Sequence, residues 1–304
     1  PFIKTVTSEI KFTYVAKEYK SNFKSDNRTK KDNTEFSNNK KNDENYIGID
    51  TQITLNLFEN LKYDLKSIRL GQSVKPVYLS KLPKDLKKIK STNKRKDTFI
   101  KIVMPLILSE NEKILEDRNK LFKILGKQSN TMGEKVWLKR RFKDYNVKGE
   151  DITELKLKMD IVPTSIAIAQ AAKESGWGTS RFALEGNAMY GQWTWDGEGI
   201  EPSKKDKRQE HKILKFPKLQ SSVAAYMNNL NTHRGYSEFR NKRSEIREKK
   251  QEINGLDLVQ YLYNYAQTGS EYVKTLKKII QQNNLNDFDN SILMNSNRSR
   301  SLTL

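Results

Sequence analysis

A mainly α-helical (α+β) fold with one small β-lobe is the class this sequence predicts. Apolar residues recur at helical spacing through most of the chain after Val77. Residues 192–216 break that rhythm with a turn-forming DGEG, a lone Pro202 and the strand-like HKILKF, which predicts a β-hairpin or small β-lobe. No internal repeat is apparent, so a single packed core is expected rather than a solenoid.

Residues 1–19 alternate loosely (Phe2, Val6, Ile10, Phe12, Tyr14) and read as the remains of an anchor or a short strand. Residues 21–45 are rich in Asn, Lys, Asp and Ser and read as a disordered linker. Leu57, Leu61, Leu65 and Ile68 predict one short helix across 46–70, closed by Gly71. Pro76 and Pro83 frame an extended stretch. A long helix is expected over 97–125, where Pro105 predicts a kink or a break. A basic helix bearing Trp137 (134–143) and a shorter one (152–159) follow. Further helices are expected at 222–233, with Val223, Tyr226, Met227 and Leu230 on one face, and at 256–265 and 271–282. The expected organisation is an N-terminal segment and linker (1–45), a helical extension packed on the main domain (46–145), the main domain (146–289) and a disordered tail (290–304).

Composition narrows the function. The 304 residues carry a net charge of +20, with 35% hydrophobic and 31% charged residues, so an anionic partner is expected and part of the chain lies outside the core. Nucleic acid, anionic lipid and an acidic bacterial wall all suit that charge. The lysines are spread along the chain rather than gathered on one element, however, and no nucleic-acid motif is present, so nucleic acid is not expected. The absence of cysteine excludes disulfides, a thiolate nucleophile and Cys-based zinc sites. Two isolated histidines, His211 and His233, do not make an ordinary zinc site. No apolar run reaches the roughly 18 residues of a membrane span. Because the chain starts at Pro1, a signal segment or anchor could precede it.

The most informative stretch is IVPTSIAIAQAAKESGWGTSRFALEGNAMYG, residues 161–191. Pro163 suits the first helical position. The helix after it is apolar nearly all round, interrupted only by Gln170 and Lys173, and so belongs in a core. Gly176 is placed to close it as a left-handed cap. One turn earlier stands Glu174, in step with Ala167 and Ala171. Apolar surroundings and the negative end of the helix dipole both disfavour its charged form. That raises its pKa, as a proton donor near neutral pH requires. The alternative is a surface glutamate paired with Lys173 or Arg181. Trp177, between two glycines, suits a sugar-stacking wall or a core anchor.

The string AKESGWGTSRFALEGNAMYGQW resembles the signature of the glucosaminidases of glycoside hydrolase family 73, read as A-x-E-S-G-W-G-x-S…N-x-(F/Y)-G. YLSKLPKDLKKIKSTNKRKDTFIKIVMPLIL, FPKLQSSVAAYMNNLNTHRGYSEFR and YLYNYAQTGSEYVKTLKKIIQQNNL are similar to the Bax-type branch of that family. The resemblance spans roughly Gly71 to Asp289. It implies a lysozyme-like architecture and hydrolysis of β-1,4 bonds after N-acetylglucosamine in peptidoglycan, with Glu174 as general acid. A lytic transglycosylase and a non-catalytic glycan-binding module are the alternatives. No metal or organic cofactor is implied. Peptidoglycan strands are the expected partner, with electrostatic contact to anionic wall polymer or membrane surface. The expected setting is a monomer in the periplasm or cell envelope, or one held at the inner membrane by a preceding anchor.

Two-carboxyl glycosidases need a second acid. The family places it in the β-lobe, where Asp196, Glu198, Glu201, Asp206 and Glu210 lie; Glu201 fits the spacing best. Without one, the substrate's N-acetyl group is the expected nucleophile. By resemblance to the family's Y-A-T-D-P-x-Y segment, Tyr265 is the catalytic or positioning hydroxyl and Tyr272 a further cleft residue. Thr268 and Gly269 depart from that pattern, so the local turn is expected to differ. Asn187, Tyr190, Gln192, Trp193 and Trp195 are candidate substrate-binding residues. Trp193 and Trp195, two apart on a strand, would face the same way. For Asn187 the favoured reading is a turn that it fixes by hydrogen-bonding its own backbone.

Overall fold

The computed structural model describes residues 50–194, 199–200 and 212–294, with residues 193 and 194 as backbone alone. Helices dominate. α1 (Thr51–Asn60) and α2 (Leu65–Arg69) replace the single helix expected across 46–70. The break has a local cause. Lys62 is left-handed (φ 50°), and Asp64 caps a new helix by accepting from the Ser67 N–H at 2.9 Å.

The central element is α3 (Thr92–Leu125), whose 34 residues run through Pro105 without the expected break. Proline inside a helix costs about 3 kcal/mol. Here every residue from Ile102 to Leu108 is buried, and packing on all sides holds the helix together. α4 (Met132–Asp144) opens with a full capping box between Thr131 and Glu134, and α5 (Ile152–Lys158) is capped by Asp151. Then come α6 (Thr164–Ser175), α7 (Arg181–Gly186), α8 (Leu219–Thr232), α9 (Ser237–Glu248), α10 (Gly255–Leu258) and α11 (Ser270–Gln282). Short 3-10 turns lie at Arg234–Tyr236, Val259–Tyr265 and Leu285–Phe288. The helix expected over 256–265 is thus one α-helical turn followed by a 3-10 stretch that is interrupted at Leu262.

The β-lobe has three short strands, β1 (Trp193–Thr194), β2 (Gly199–Ile200) and β3 (Lys212–Leu214). β3 lies between the other two and pairs antiparallel with both, Trp193 facing Ile213 on one side and Ile200 facing it on the other. β1 and β2 therefore do not form a hairpin with each other. Most of the DGEG turn lies outside the described residues. The lobe is tied to α7 at Gly186, where an added Cβ would stand 2.6 Å from Ile200 Cδ1.

One continuous core joins α1–α3 to α6, α8 and α11, through Phe58, Phe99, Val103, Ile166, Ile168, Val223 and Leu276. Predominantly helical layers with a small unclosed sheet make the α+β, lysozyme-like arrangement expected from the sequence. Among the described residues no helix is long and apolar enough to cross a membrane.

Candidate active site

α6 is the axis of the site. Every residue from Thr164 to Ala172 is buried, and Lys173 is the first to reach solvent. Pro163 is not its first residue but its N-cap, with extended backbone (φ −50°, ψ 135°) and no side chain able to accept. The cap comes instead from Asp289, far along the chain. Its carboxylate accepts from the Ser165 N–H (2.8 Å) and hydroxyl (2.8 Å), and from the Gly255 N–H at the start of α10 (2.8 Å). Burial pushes this carboxyl up to about 6, against the pull of those hydrogen bonds.

At the other end the helix stops on three consecutive left-handed residues, Gly176 (φ 58°), Trp177 (φ 58°) and Gly178 (φ 77°). Left-handed backbone is uncommon for a bulky residue such as Trp177. The turn is held by the Trp177 N–H donating to Ala172 O (2.9 Å) and the Gly178 N–H donating to Ser175 Oγ (2.9 Å). Gly178 admits no side chain, because a Cβ would meet Phe99 Cδ2 at 2.8 Å. The Trp177 ring makes an edge contact with Phe99 (5.9 Å). Lys96 Nζ stands 4.9 Å from the Trp177 ring centre.

Glu174 is half-buried at this helix end. Burial raises its pKa, partly countered by a hydrogen bond from the Tyr272 hydroxyl and by the charge of Lys173. Gly191, left-handed at φ 61°, forms the other wall: an added Cβ would lie 3.3 Å from Glu174 Oε2. Tyr272, on α11, is itself buried, and its hydroxyl accepts from Gln170 Nε2 (3.0 Å). Gln170 Oε1 in turn accepts from the Tyr226 hydroxyl (2.6 Å). A directed chain of donors therefore runs Tyr226 to Gln170 to Tyr272 to Glu174, from α8 through α6 and α11 to the acid.

Aromatic rings pack round this chain. Tyr190 stacks on Tyr226 (3.8 Å, 5°) and Tyr265 stacks on Tyr272 (5.4 Å, 8°). The structure distinguishes the two tyrosines named from the sequence. Tyr272 bonds the acid, whereas the Tyr265 hydroxyl donates to Tyr190 O at 2.9 Å. The turn between them does use Gly269 in a conformation closed to other residues (φ 50°, ψ −111°).

The structure brings together Glu174, Tyr190, Tyr265 and Tyr272, with Trp177 on the turn after the acid. Asn187 is buried in the left-handed cap of α7, and its Nδ2 donates to Phe216 O (2.9 Å) rather than to its own backbone. Tyr190 is 1% exposed, so both residues support the wall rather than face solvent. Gln192 is half-buried, and its carbonyl accepts from the Leu214 N–H (2.8 Å), anchoring β3 beside Gly191. Trp193 is seen only through its strand pairing. Trp195 and Glu201, with Asp196, Glu198, Asp206 and Glu210, lie outside the described residues. His233 caps the following 3-10 turn by accepting from the Gly235 N–H (3.2 Å). Among the described residues no three His, Cys, Asp or Glu side chains gather as metal ligands.

Gln170 and Tyr226 join the site only through the structure. The sequence does hold a signal for Gln170: a lone amide in a buried apolar helix, four residues before the acid, must find partners. Tyr226 gives none, because an aromatic at helical spacing reads as core.

Residues 149–285 match the glucosaminidase family, described as mannosyl-glycoprotein endo-beta-N-acetylglucosaminidase. Protein bax of Escherichia coli (strain K12) is 35% identical over 210 residues, covering 67% of this chain and 75% of that protein. No solved structure matches the chain. An acid of raised pKa at the end of a buried helix, inside a chain with this likeness, places the protein among the glycoside hydrolases: it belongs to the glucosaminidase family.

Proposed function

We propose that the protein is a peptidoglycan hydrolase of the cell envelope, an endo-β-N-acetylglucosaminidase that cleaves β-1,4 bonds of the wall glycan. The observation that carries this reading is the Glu174 carboxyl, whose pKa burial raises and which the Tyr272 hydroxyl orients. In its protonated state it can protonate the glycosidic oxygen as the bond breaks. The resulting carboxylate then receives the Tyr272 hydrogen bond and the field of Lys173, both of which favour its charged form. Tyr272 is the positioning hydroxyl in this scheme, and Tyr265 holds Tyr272 by stacking.

Positive charge developing on the sugar needs a second group. Glu201, next in sequence after β2, is our candidate, with the substrate's N-acetyl group as the alternative nucleophile. Trp177, Gln192, Trp193 and Trp195 are proposed as sugar contacts. Peptidoglycan strands are the proposed partner of a monomer in the periplasm or at the membrane surface.

Mass analysis of muropeptides released from purified wall tests the reading. Wild type should release fragments ending in reducing N-acetylglucosamine, and Glu174→Gln should lose at least about 100-fold of that activity. Anhydro sugar ends would identify a lytic transglycosylase, which uses the same acid. Equal release by the two proteins would remove Glu174 from the chemistry.

A further inference from the structure

The turn after Glu174 also walls a second feature. A depression of about 270 Å³ lies between this turn, Lys87 and the first residues of α3, lined by Lys87, Thr92, Arg95, Lys96, Trp177 and Thr179. No carboxylate is among its lining residues. Seven of the thirteen residues from 84 to 96 are basic and only Asp85 is acidic. Asp85 is already engaged, accepting from the Thr51 N–H (2.9 Å) and hydroxyl (2.7 Å), with Lys88 at 3.8 Å.

The cations are held in place. Arg95 donates to Ile89 O (2.9 Å), and Lys96 donates to Asn283 Oδ1 (3.3 Å) while lying over Trp177. Neither contact neutralises a charge, and among the described residues both side chains keep further donors free. Lys87 has no ion-pair partner among the described residues. Those contacts favour the individual side chains but leave the positive charges uncompensated. Like charges repel. Arg95 stands in the acid-free first turn of α3 with Lys96 directly after it, where the helix dipole disfavours cations. A bound oxyanion would reverse both penalties, since charge-assisted hydrogen bonds from Arg and Lys are among the stronger kinds.

We propose that this depression is a subsite for an oxyanion carried by the substrate, so that the enzyme prefers a glycan with acidic substituents to a neutral polymer. It rests on the glycan-cleaving reading above and narrows its substrate class. Carboxylates of the peptides on the wall glycan and phosphates of anionic wall polymers share the required chemistry.

Binding to the full chain carrying Glu174→Gln separates the possibilities, because it does not depend on turnover. The probes are a peptide-bearing wall glycan fragment, a neutral N-acetylglucosamine hexamer and a glycerol phosphate oligomer. Adding Lys87→Gln and Lys96→Gln should weaken binding of the peptide-bearing fragment about tenfold and leave the neutral hexamer within about twofold. Lys87 is exposed, so Lys87→Gln alone is a variant that keeps the fold and should give part of the loss. A loss confined to the phosphate oligomer would keep the oxyanion site and assign it to phosphate. Equal loss for the neutral hexamer, or no loss for either anionic probe, would overturn the subsite. Binding that follows this pattern in a protein whose wild type cleaves no glycan would overturn the hydrolase reading and leave the subsite standing.

Discussion

The Tyr272 hydroxyl is shared between Gln170, from which it accepts at 3.0 Å, and Glu174, to which it donates. Because it donates, it favours the ionised carboxylate and works against the burial that raises the pKa of the acid. Tyr272→Phe should therefore raise that pKa further. As the proposed general acid, Glu174 would stay protonated to higher pH, and the alkaline limb of the pH–rate profile should move upward. The kcat at the optimum should fall about tenfold through lost orientation. Gln170→Leu, which withdraws the donor to Tyr272, should lower kcat with a smaller change in KM. A profile that stays in place in Tyr272→Phe would mean that the hydroxyl does not act on the acid.

Gly191 also lies close against the same carboxyl. Its left-handed backbone disfavours alanine by about 1 kcal/mol, and the new methyl would press on Glu174 Oε2 at 3.3 Å. Gly191→Ala should lower the melting temperature by a few degrees and cut kcat by more than tenfold. Gly149 is also left-handed (φ 65°), but nothing lies within 4 Å of where a Cβ would stand, so Gly149→Ala isolates the backbone cost. If both variants lose activity alike, contact with the acid is not the reason.

Asp289 makes stability depend on pH. Its folded-state value of about 6 lies above the ordinary 3.8, so the native protein binds the extra proton between those limits. Stability from this group is fully present below about 3.8 and is lost as pH rises through 6. The difference amounts to about 3 kcal/mol. Asp160 acts in a different window. Burial pushes its carboxyl up, but Arg247, Arg243 and Arg118 outweigh that and hold it below the usual range, so its stabilisation is lost only as pH falls below about 3.8. Melting temperature should therefore decline from pH 4 to pH 6.5 in wild type. The decline should be clearly shallower in Asp289→Asn, whose side chain does not titrate, with the raised Glu174 carboxyl contributing the remainder. Parallel curves for the two proteins would exclude Asp289 as the cause.

The helices are legible in the sequence where their buried faces are apolar. α3, α6, α8 and α11 announce themselves by spacing, and Glu174 by its place on α6. α9 is not visible in SEFRNKRSEIRE, since two of its four buried residues are Arg240 and Arg243. Hydrophobic periodicity does not register a face built from guanidinium groups. Asp289 as a cap for α6 is invisible for another reason: 124 residues separate it from Ser165, and local capping patterns reach only about three. The division of roles between Tyr265 and Tyr272 is equally hidden, because which hydroxyl reaches the acid depends on how the turn at Gly269 sets α11.

That arginine face is also where the fold is most exposed to a single substitution. Arg243 is fully buried and donates to Leu157 O (3.0 Å), Asp160 O (3.1 Å), Ile161 O (2.6 Å) and Asn231 Oδ1 (2.9 Å). Burial pulls its guanidinium down to about 10, which still leaves it charged at neutral pH. Arg247 meanwhile grips both oxygens of Asp160, at 2.8 and 2.7 Å. The segment entering α6 is thus fastened to α9 by one carboxylate and its arginines. Arg243→Met keeps the bulk but withdraws the donors from four acceptors, of which, among the described residues, Asp160 O alone keeps another partner, Asn231 Nδ2 at 2.9 Å, and should destabilise by about 3–5 kcal/mol. Lysine offers one ammonium where a planar fork is needed, so Arg243→Lys should recover only part of the loss. Arg247→Met, at a half-exposed side chain, should cost less than either Arg243 variant. Denaturant midpoints with unchanged slopes would measure these differences. A smaller loss for Arg243→Met than for Arg247→Met would show that the buried guanidinium is not what secures the entry to α6.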